Sequence, residues 1–501
     1  MLYNSTRNKS HAVSAAQAIA QGISEDGGLF VPQELPKYSN ETFNALLKLD
    51  YNGRAKKILS DFLSDFTQQE ISECVDSAYT AAKFESGNPI PIAEKTLDGK
   101  ELNIMELWHG PTLAFKDMAL QILPHLLTKS LAKKYDGKQA VILVATSGDT
   151  GKAALEGFRD VENTKIMVFY PVDGVSEMQK LQMNTQLGEN VSVCAIRGNF
   201  DDAQTGVKNI FVTDEVIEKL KAGNMIFSSA NSINWGRLLP QIVYYISAYC
   251  DMVNEGRISY PDKINVVVPT GNFGNILAAY YAYCMGLPVN KLICASNANN
   301  VLTDFISTGT YDKNRPFHTT ISPSMDILVS SNLERLLYHF SGENDEETKQ
   351  MMDSLKTKGK YSVSADIKAK IDGLFAGGCC DDAMTKKTIC DLFTQTGYLC
   401  DTHTAVAVRV YCDYVDSTGD KTPCLIASTA NPYKFPTAVL EAIAPNTELP
   451  NDDFAKVDLL NSISGAKIPA PLDELRNRAV RFNNVRSADE MTGFVLETLG
   501  L

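Results

Sequence analysis

Ile264-Asn265-Val266-Val267-Val268-Pro269-Thr270-Gly271-Asn272-Phe273-Gly274-Asn275, followed by ILAAYYAYCMG (276–286), places three structural signals in one stretch. An apolar, β-branched run, a turn with two glycines three apart and a long apolar segment predict strand, loop and helix in succession. The strand shows no alternation of apolar and polar positions, so both of its faces are expected to be covered. Five other short runs share this character: QAVILVA (139–145), KIMVFYP (165–171), NVSVCAI (190–196), KLICAS (291–296) and PCLIAS (423–428). Such strands, separated by helical segments, predict an α/β protein built on parallel sheet.

Outward from these strands the chain divides by pattern. Residues 1–90 read as a mainly helical N-terminal segment, with periodic apolar positions in AVSAAQAIAQGI and FNALLKLDYNGRAKKILSDFL and a turn at EDGGLFVP (25–32). Residues 91–210 are expected to form a first α/β domain, and residues 211–340 with 421–501 a second. A polar, lysine-rich, weakly periodic stretch at 341–387 interrupts the strand series, so 341–420 reads as an insertion or subdomain.

Composition excludes several classes. A 501-residue chain that is 44 % apolar and 21 % charged can bury a large core, and its length suggests about two to four domains. The net charge of −13, with no basic block, argues against nucleic acid or an anionic membrane as partner. No uncharged run is long enough to span a bilayer, and the N-terminus carries no secretory pattern, so a cytoplasmic protein is expected. Eleven scattered cysteines, an odd number without C-x-x-C pairs, fit reduced thiols. His11, His109, His125, His318, His339 and His403 show no ligand spacing, so no metal site is expected.

Two turns and one lysine carry the chemistry. In ATSGDTGK (145–152), Ser147, Gly148, Asp149 and Thr150 lie between a strand and a helical run, where free N–H groups and the helix dipole favour an anion. The turn matches neither a Walker loop nor G-x-G-x-x-G, and alone it serves equally as a plain strand-to-helix connection. In the turn at 269–275, Gly271 and Gly274 permit close backbone approach to a phosphate. Two such turns at the carboxyl ends of strands point to a ligand in the crevice there. In WHGPTLAFKD (108–117), Lys116 follows Leu113, Ala114 and Phe115; an apolar wall lowers an amine's basicity and frees its lone pair. Read by itself, a surface lysine paired with Asp117 is the simpler alternative.

Together HGPTLAFKD, ATSGDTG, SSANSINWGR (228–237), PTGNFGN and ASTANPYKFP (427–436), with YNSTR and GISEDGGLFVP near the N-terminus, resemble the threonine synthase family, in its fungal and enterobacterial-like subgroup. The resemblance runs in order over essentially the whole chain. It implies the tryptophan-synthase-β-like fold, fold type II of the pyridoxal phosphate enzymes, with two parallel-sheet domains around the cofactor. It also implies a lyase that turns O-phospho-L-homoserine and water into L-threonine and phosphate, working as a monomer or homodimer.

By the same resemblance Lys116 is the Schiff-base lysine and the catalytic residue. Gly271, Asn272, Phe273, Gly274 and Asn275 form the cofactor's phosphate loop, and the Thr429 hydroxyl faces the pyridine nitrogen. Ser147, Gly148, Asp149 and Thr150 match the turn that holds the substrate carboxylate. Related cysteine synthases have asparagine where Asp149 stands; an ionised carboxylate could not donate as that amide does, so the role of Asp149 stays open. A substrate phosphate calls for a second anion pocket, for which Asn231, Ser232, Asn234 and Arg237 are candidates; a salt-bridged Arg237 is the structural alternative. Lys152 reads as a solvated helix lysine, and His109 as a residue that orients its turn. Tyr3, Ser5, Thr6 and Arg7 are candidates for closing over the site. Two rival readings are a dehydratase or cysteine synthase on the same fold, and a relative that binds ligand without turnover.

Overall fold

The computed structural model describes residues 1–501 apart from Glu85, Ser86, Asp136, Ser147 and Gly174. Two sheets organise the chain. The six-stranded sheet runs in the order Phe375–Cys379, Val289–Ser296, Ile264–Pro269, Cys424–Ser428, Lys100–Glu106, Ile92–Leu97. Its neighbours are parallel except for the final hairpin, where Asp98 and Gly99 take the positive φ of a tight turn. The five-stranded sheet is parallel throughout: Asn484–Ser487, Val191–Arg197, Thr164–Pro171, Gln139–Ala145, Met225–Ser228.

All residues of Ile264–Pro269 are buried, as its unbroken apolar character predicts for a strand covered on both faces. The helix Gly274–Met285 follows directly and is nearly as deeply buried. Helix Trp235–Asn254 lies beside it and carries Trp235, Tyr244, Tyr245 and Tyr249 into the core. The α/β class and the parallel sheets thus match the sequence reading.

The boundaries do not follow the expected ones. The hairpin 92–106 belongs to the six-stranded sheet, through pairing of Ile104 with Ile426, and not to the unit built on 139–197. Met225–Ser228 and Asn484–Ser487, expected in the second domain, are the two edges of the five-stranded sheet. Residues 341–420 are no insertion: Phe375–Cys379 is an edge strand of the large sheet, and helix Thr402–Thr418 packs across its centre with Ala405 to Val408 buried. Part of the polarity of this stretch lies in helix Asp345–Lys358, half of whose residues are exposed. We propose a division by sheet membership instead of by chain order.

The N-terminal segment is also less helical than expected. Leu2–Ser5, Asn8–Ser14 and Phe30–Pro32 form a small antiparallel sheet, the last of them inside the predicted turn. Helix Ala15–Gln21 begins at Ser14, whose hydroxyl accepts from the Gln17 N–H. All eleven cysteines are free thiols. Among the described residues no helix is long and apolar enough to cross a membrane.

Candidate active site

Lys116 sits where a loop of one sheet meets a turn of the other. It precedes the short helix Asp117–Leu120, and its loop is stitched to the segment after Cys424–Ser428. The Phe115 N–H donates to the Thr429 carbonyl at 2.9 Å and the Asn431 N–H to the Leu113 carbonyl at 3.1 Å. Thr429, itself buried, is thereby fixed next to Lys116, although the two lie far apart in sequence. Asp117 locks the turn from below, accepting from the Thr112 N–H at 2.8 Å and the Thr112 hydroxyl at 2.6 Å. Burial pushes the Asp117 carboxyl up to about 6 in spite of those bonds.

The Lys116 side chain is 13 % exposed, with its Nζ 3.9 Å from Asp149 Oδ2. Burial brings its amine down to about 8; Asp149 opposes this fall, while Lys434 and Arg237 add to it. Asp149 opens helix Asp149–Phe158 directly after Gly148, whose φ of 152° and near approach to Gln179 suit glycine alone. Burial would raise the Asp149 carboxyl, but Lys434 and Lys116 outweigh it and hold the group far below the usual carboxylate range. Lys434 Nζ lies 2.7 Å from Asp149 Oδ1 and donates to the Thr112 carbonyl at 2.9 Å. Gln179 donates to the same Asp149 oxygen at 3.2 Å.

The Thr146 hydroxyl shapes this turn, accepting from the N–H groups of Gly148 and Gly151, each at 3.0 Å. Thr150 is half-buried at the helix start. Ser147, predicted to bind substrate, lies outside the described residues. Lys152 is not solvated as expected: it is buried, 3.3 Å from Glu156 and hydrogen-bonded to Gln186.

The turn at 271–275 follows strand Ile264–Pro269, the sheet neighbour of the strand that leads to Thr429. Phe273 adopts the left-handed conformation at φ 61° and Gly274 begins the helix, so the first helical N–H groups remain unpaired within it. A Cβ on Gly271 would stand 2.6 Å from the Ser324 carbonyl, which explains glycine there. Ser330 Oγ donates to the Gly271 carbonyl at 2.8 Å, and the Asn332 N–H and Nδ2 reach the Asn272 carbonyl at 3.1 and 3.0 Å. The Asn272 side chain is exposed, while Asn275 is buried, bonded to the Tyr245 hydroxyl, with its Nδ2 orphaned.

The phosphate-type cluster divides in two. Arg237 is buried, and no carboxylate among the described residues pairs with it. Its Nη1 donates to the Ala230 carbonyl at 2.6 Å, and its Nε has no partner. The salt-bridge alternative is therefore removed, and a buried cation with an orphaned donor suits an anion. Asn231 is exposed and Ser232 half-buried, and both side chains are available. Asn234 is not: it caps helix Trp235–Asn254 by accepting from the Gly236 N–H at 2.8 Å, and its amide donates to the Ile19 and Ser229 carbonyls at 3.0 and 2.8 Å.

His109 bonds Glu106 at 2.7 Å and stacks on Trp108. The N-terminal residues are tied to other parts of the fold. Tyr3 is a core residue bonded to the Phe62 carbonyl at 2.9 Å, and Ser5 donates to Asp26 at 2.8 Å. Thr6 and Arg7 bind Glu334 at 2.6 and 2.8 Å, two residues from Asn332. Lys434, Asn332 and Ser330 escaped the sequence reading; only Lys434 lay in a quoted motif, ASTANPYKFP.

A buried lysine between two sheets, facing a glycine turn at a helix N-terminus, defines a fold type II pyridoxal phosphate enzyme. Residues 2–79 match the family described as threonine synthase N terminus, 86–428 that of pyridoxal-phosphate dependent enzymes, and 404–495 that of threonine synthase, C-terminal. Threonine synthase of Pseudomonas aeruginosa is 39 % identical, covering 88 % of this chain and 90 % of the relative. That of Saccharomyces cerevisiae is 36 % identical, covering 88 % and 89 %. The human threonine synthase-like 1 is 40 % identical over 85 % of this chain, which spans only 58 % of that longer protein. The crystal structure of pyridoxal-phosphate-bound threonine synthase from Brucella melitensis superposes with a TM-score of 0.87 at 34 % identity, with both chains fully covered. The yeast structure gives 0.88 at 31 %, covering 99 % of this chain and 98 % of the yeast one. The chain belongs to the threonine synthase family of pyridoxal-phosphate-dependent enzymes.

Proposed function

We propose that this protein converts O-phospho-L-homoserine and water into L-threonine and phosphate. The observation that carries this reading is Arg237, a buried guanidinium without a counter-charge among the described residues, whose field reaches Lys116. Pyridoxal phosphate enzymes that act on uncharged side chains need one phosphate site; a phosphorylated substrate needs two.

The residues fit the cofactor. The helix N-terminus at Gly274 and the orphaned Asn275 amide suit its phosphate, and Lys116 supplies the amine for its aldehyde. Thr429, fixed beside Lys116, is assigned to the pyridine nitrogen. Bound there, pyridoxal phosphate supplies an electron sink for charge developing at the substrate's α-carbon.

The remaining work falls to the chain's own side chains. Gly148 and Thr150 at the start of helix Asp149–Phe158 bind the substrate carboxylate, the role also assigned to Ser147. Arg237, with Asn231 and Ser232, receives the substrate phosphate. Lys116, with an amine near neutrality, takes a proton from Cα and serves the later transfers at Cβ and Cγ. Over the whole reaction the Cγ–O bond to phosphate breaks, Cγ gains a hydrogen and a hydroxyl replaces a hydrogen at Cβ. The negative net charge and the family support a small-molecule enzyme of the cytoplasm, a monomer or homodimer, with no nucleic-acid partner.

Phosphate release from O-phospho-L-homoserine by the purified protein tests the reading. Release in equal amount with threonine is expected, falling about a thousand-fold in Lys116→Ala. A protein that bonds pyridoxal phosphate at Lys116 but releases no phosphate would overturn the reaction and leave the enzyme class intact.

A further inference from the structure

Lys116, Asp149 and Lys434 form a chain of alternating charge shut away from water. Their side chains are 13, 4 and 2 % exposed. Asp149 has two cations to choose between and has chosen one: Lys434 stands 2.7 Å from Oδ1, whereas Lys116 stands 3.9 Å from Oδ2. Lys434 is fixed for this role from its other side, since it donates to the Thr112 carbonyl at 2.9 Å, in the same turn that Asp117 clamps. Gln179 adds a second donor to the Asp149 oxygen that Lys434 holds, at 3.2 Å. The carboxylate is thus drawn off the lysine that must react.

Resting on the assignment of Lys116 as the cofactor-bonding amine, we infer that Lys434 is a positioning residue of the site. By claiming Asp149 it keeps that carboxylate from closing on Lys116, whose amine stays free to act as nucleophile and base. The groups facing the Lys116 amine are Asp149 on its helix, Lys434 from the turn Pro432–Lys434, Arg237 from helix Trp235–Asn254, and the adjacent Asp117. Their signs fix the expected direction: loss of Lys434 strengthens the hold of Asp149 on Lys116, and loss of Asp149 leaves two cations facing it.

The test is the basicity of Lys116 in the full-length, cofactor-free chain. It is read by trace acetylation with acetic anhydride across a pH series, with peptide mass spectrometry at Lys116. The wild-type midpoint is expected at about 8. Lys434→Met is expected to move it up by about one pH unit or more, Asp149→Asn to move it down by a similar amount, and Lys434→Arg to leave it near the wild-type value. Midpoints that do not move, or that move the same way in Lys434→Met and Asp149→Asn, overturn the inference. Should Lys434→Met fail to fold, Asp149→Asn decides alone, because an unmoved or raised midpoint is incompatible with the proposed charge arrangement. No substrate or cofactor enters the assay, so failure of the phosphohomoserine reaction and failure of this inference are separate results.

Discussion

The two glycine turns that frame the site do the same topological job and are held by different physics. The turn at 271–275 hangs directly from neutral donors: Ser330 and Asn332 bond the carbonyls of Gly271 and Asn272, while the charged, buried Arg335 bonds Phe30, Asn332 and Ile233 one step behind them. The turn at 146–151 is shaped by the Thr146 hydroxyl but anchored by charge, through Asp149 and Lys434. A neutral cradle presents N–H groups at any pH, which suits a cofactor that stays. A charged anchor whose carboxylate is held far below the usual range stays ionised while the Lys116 amine beside it titrates.

The comparison is broken most severely behind the second turn. Helix Asp149–Phe158 touches the Lys116 segment so closely that a Cβ on Gly157 would stand 2.0 Å from the Leu120 carbonyl. Backbone cannot yield there as a side chain would, so Gly157→Ala is expected to cost about 3 kcal/mol, seen as a lower urea midpoint with unchanged slope.

Next in size is a pH effect that the neutral cradle should lack. Asp117 goes from 3.8 to about 6 on burial, so the folded chain keeps a proton that the unfolded chain releases between those values. Stability from this group is therefore full below about 4 and declines by about 2 kcal/mol as pH rises to 6. In Asp117→Asn that part of the decline is expected to vanish from urea unfolding measured between pH 4 and 7; an unchanged slope would show that Asp117 is ionised throughout.

On the neutral side, Asn332→Ala removes the amide that binds the Asn272 carbonyl. A loss of about 1.5 kcal/mol is expected, with weaker pyridoxal phosphate binding by equilibrium titration and no added pH dependence. The smallest effect separates two neighbours. Asn231→Ala, at an exposed side chain, should alter stability by less than about 0.5 kcal/mol while raising KM for O-phospho-L-homoserine. Asn234→Ala, which removes a helix cap, should cost about 1 kcal/mol in stability instead.

Legibility follows the range of each interaction. The strand, turn and helix around 271–275 were readable because strand, glycines and helix follow one another locally, whereas the apolar flank of Lys116 left a surface lysine as the simpler reading and only the resemblance singled it out. The edge strand Phe375–Cys379 was hidden because it reads FAGGC: Gly377 and Gly378 weaken a strand signal, yet a Cβ on Gly378 would stand 2.7 Å from Val410 of the covering helix. Asn234 looked like a ligand for phosphate until its helix claimed it. Ser330 and Asn332 carry no local signature, since ordinary loop polarity gives no hint of the carbonyls they bond.

The sequence by itself determined the α/β class, the parallel strands and the strand–turn–helix around Gly271 and Gly274, because continuous apolar runs and glycine positions act within a dozen residues. Only the tertiary structure decided which sheet took 92–106, 225–228 and 484–487, and that Asp149 would face Lys434. Strand register and a buried ion pair between distant segments are settled by packing and desolvation across the whole molecule, and local propensity carries no record of either.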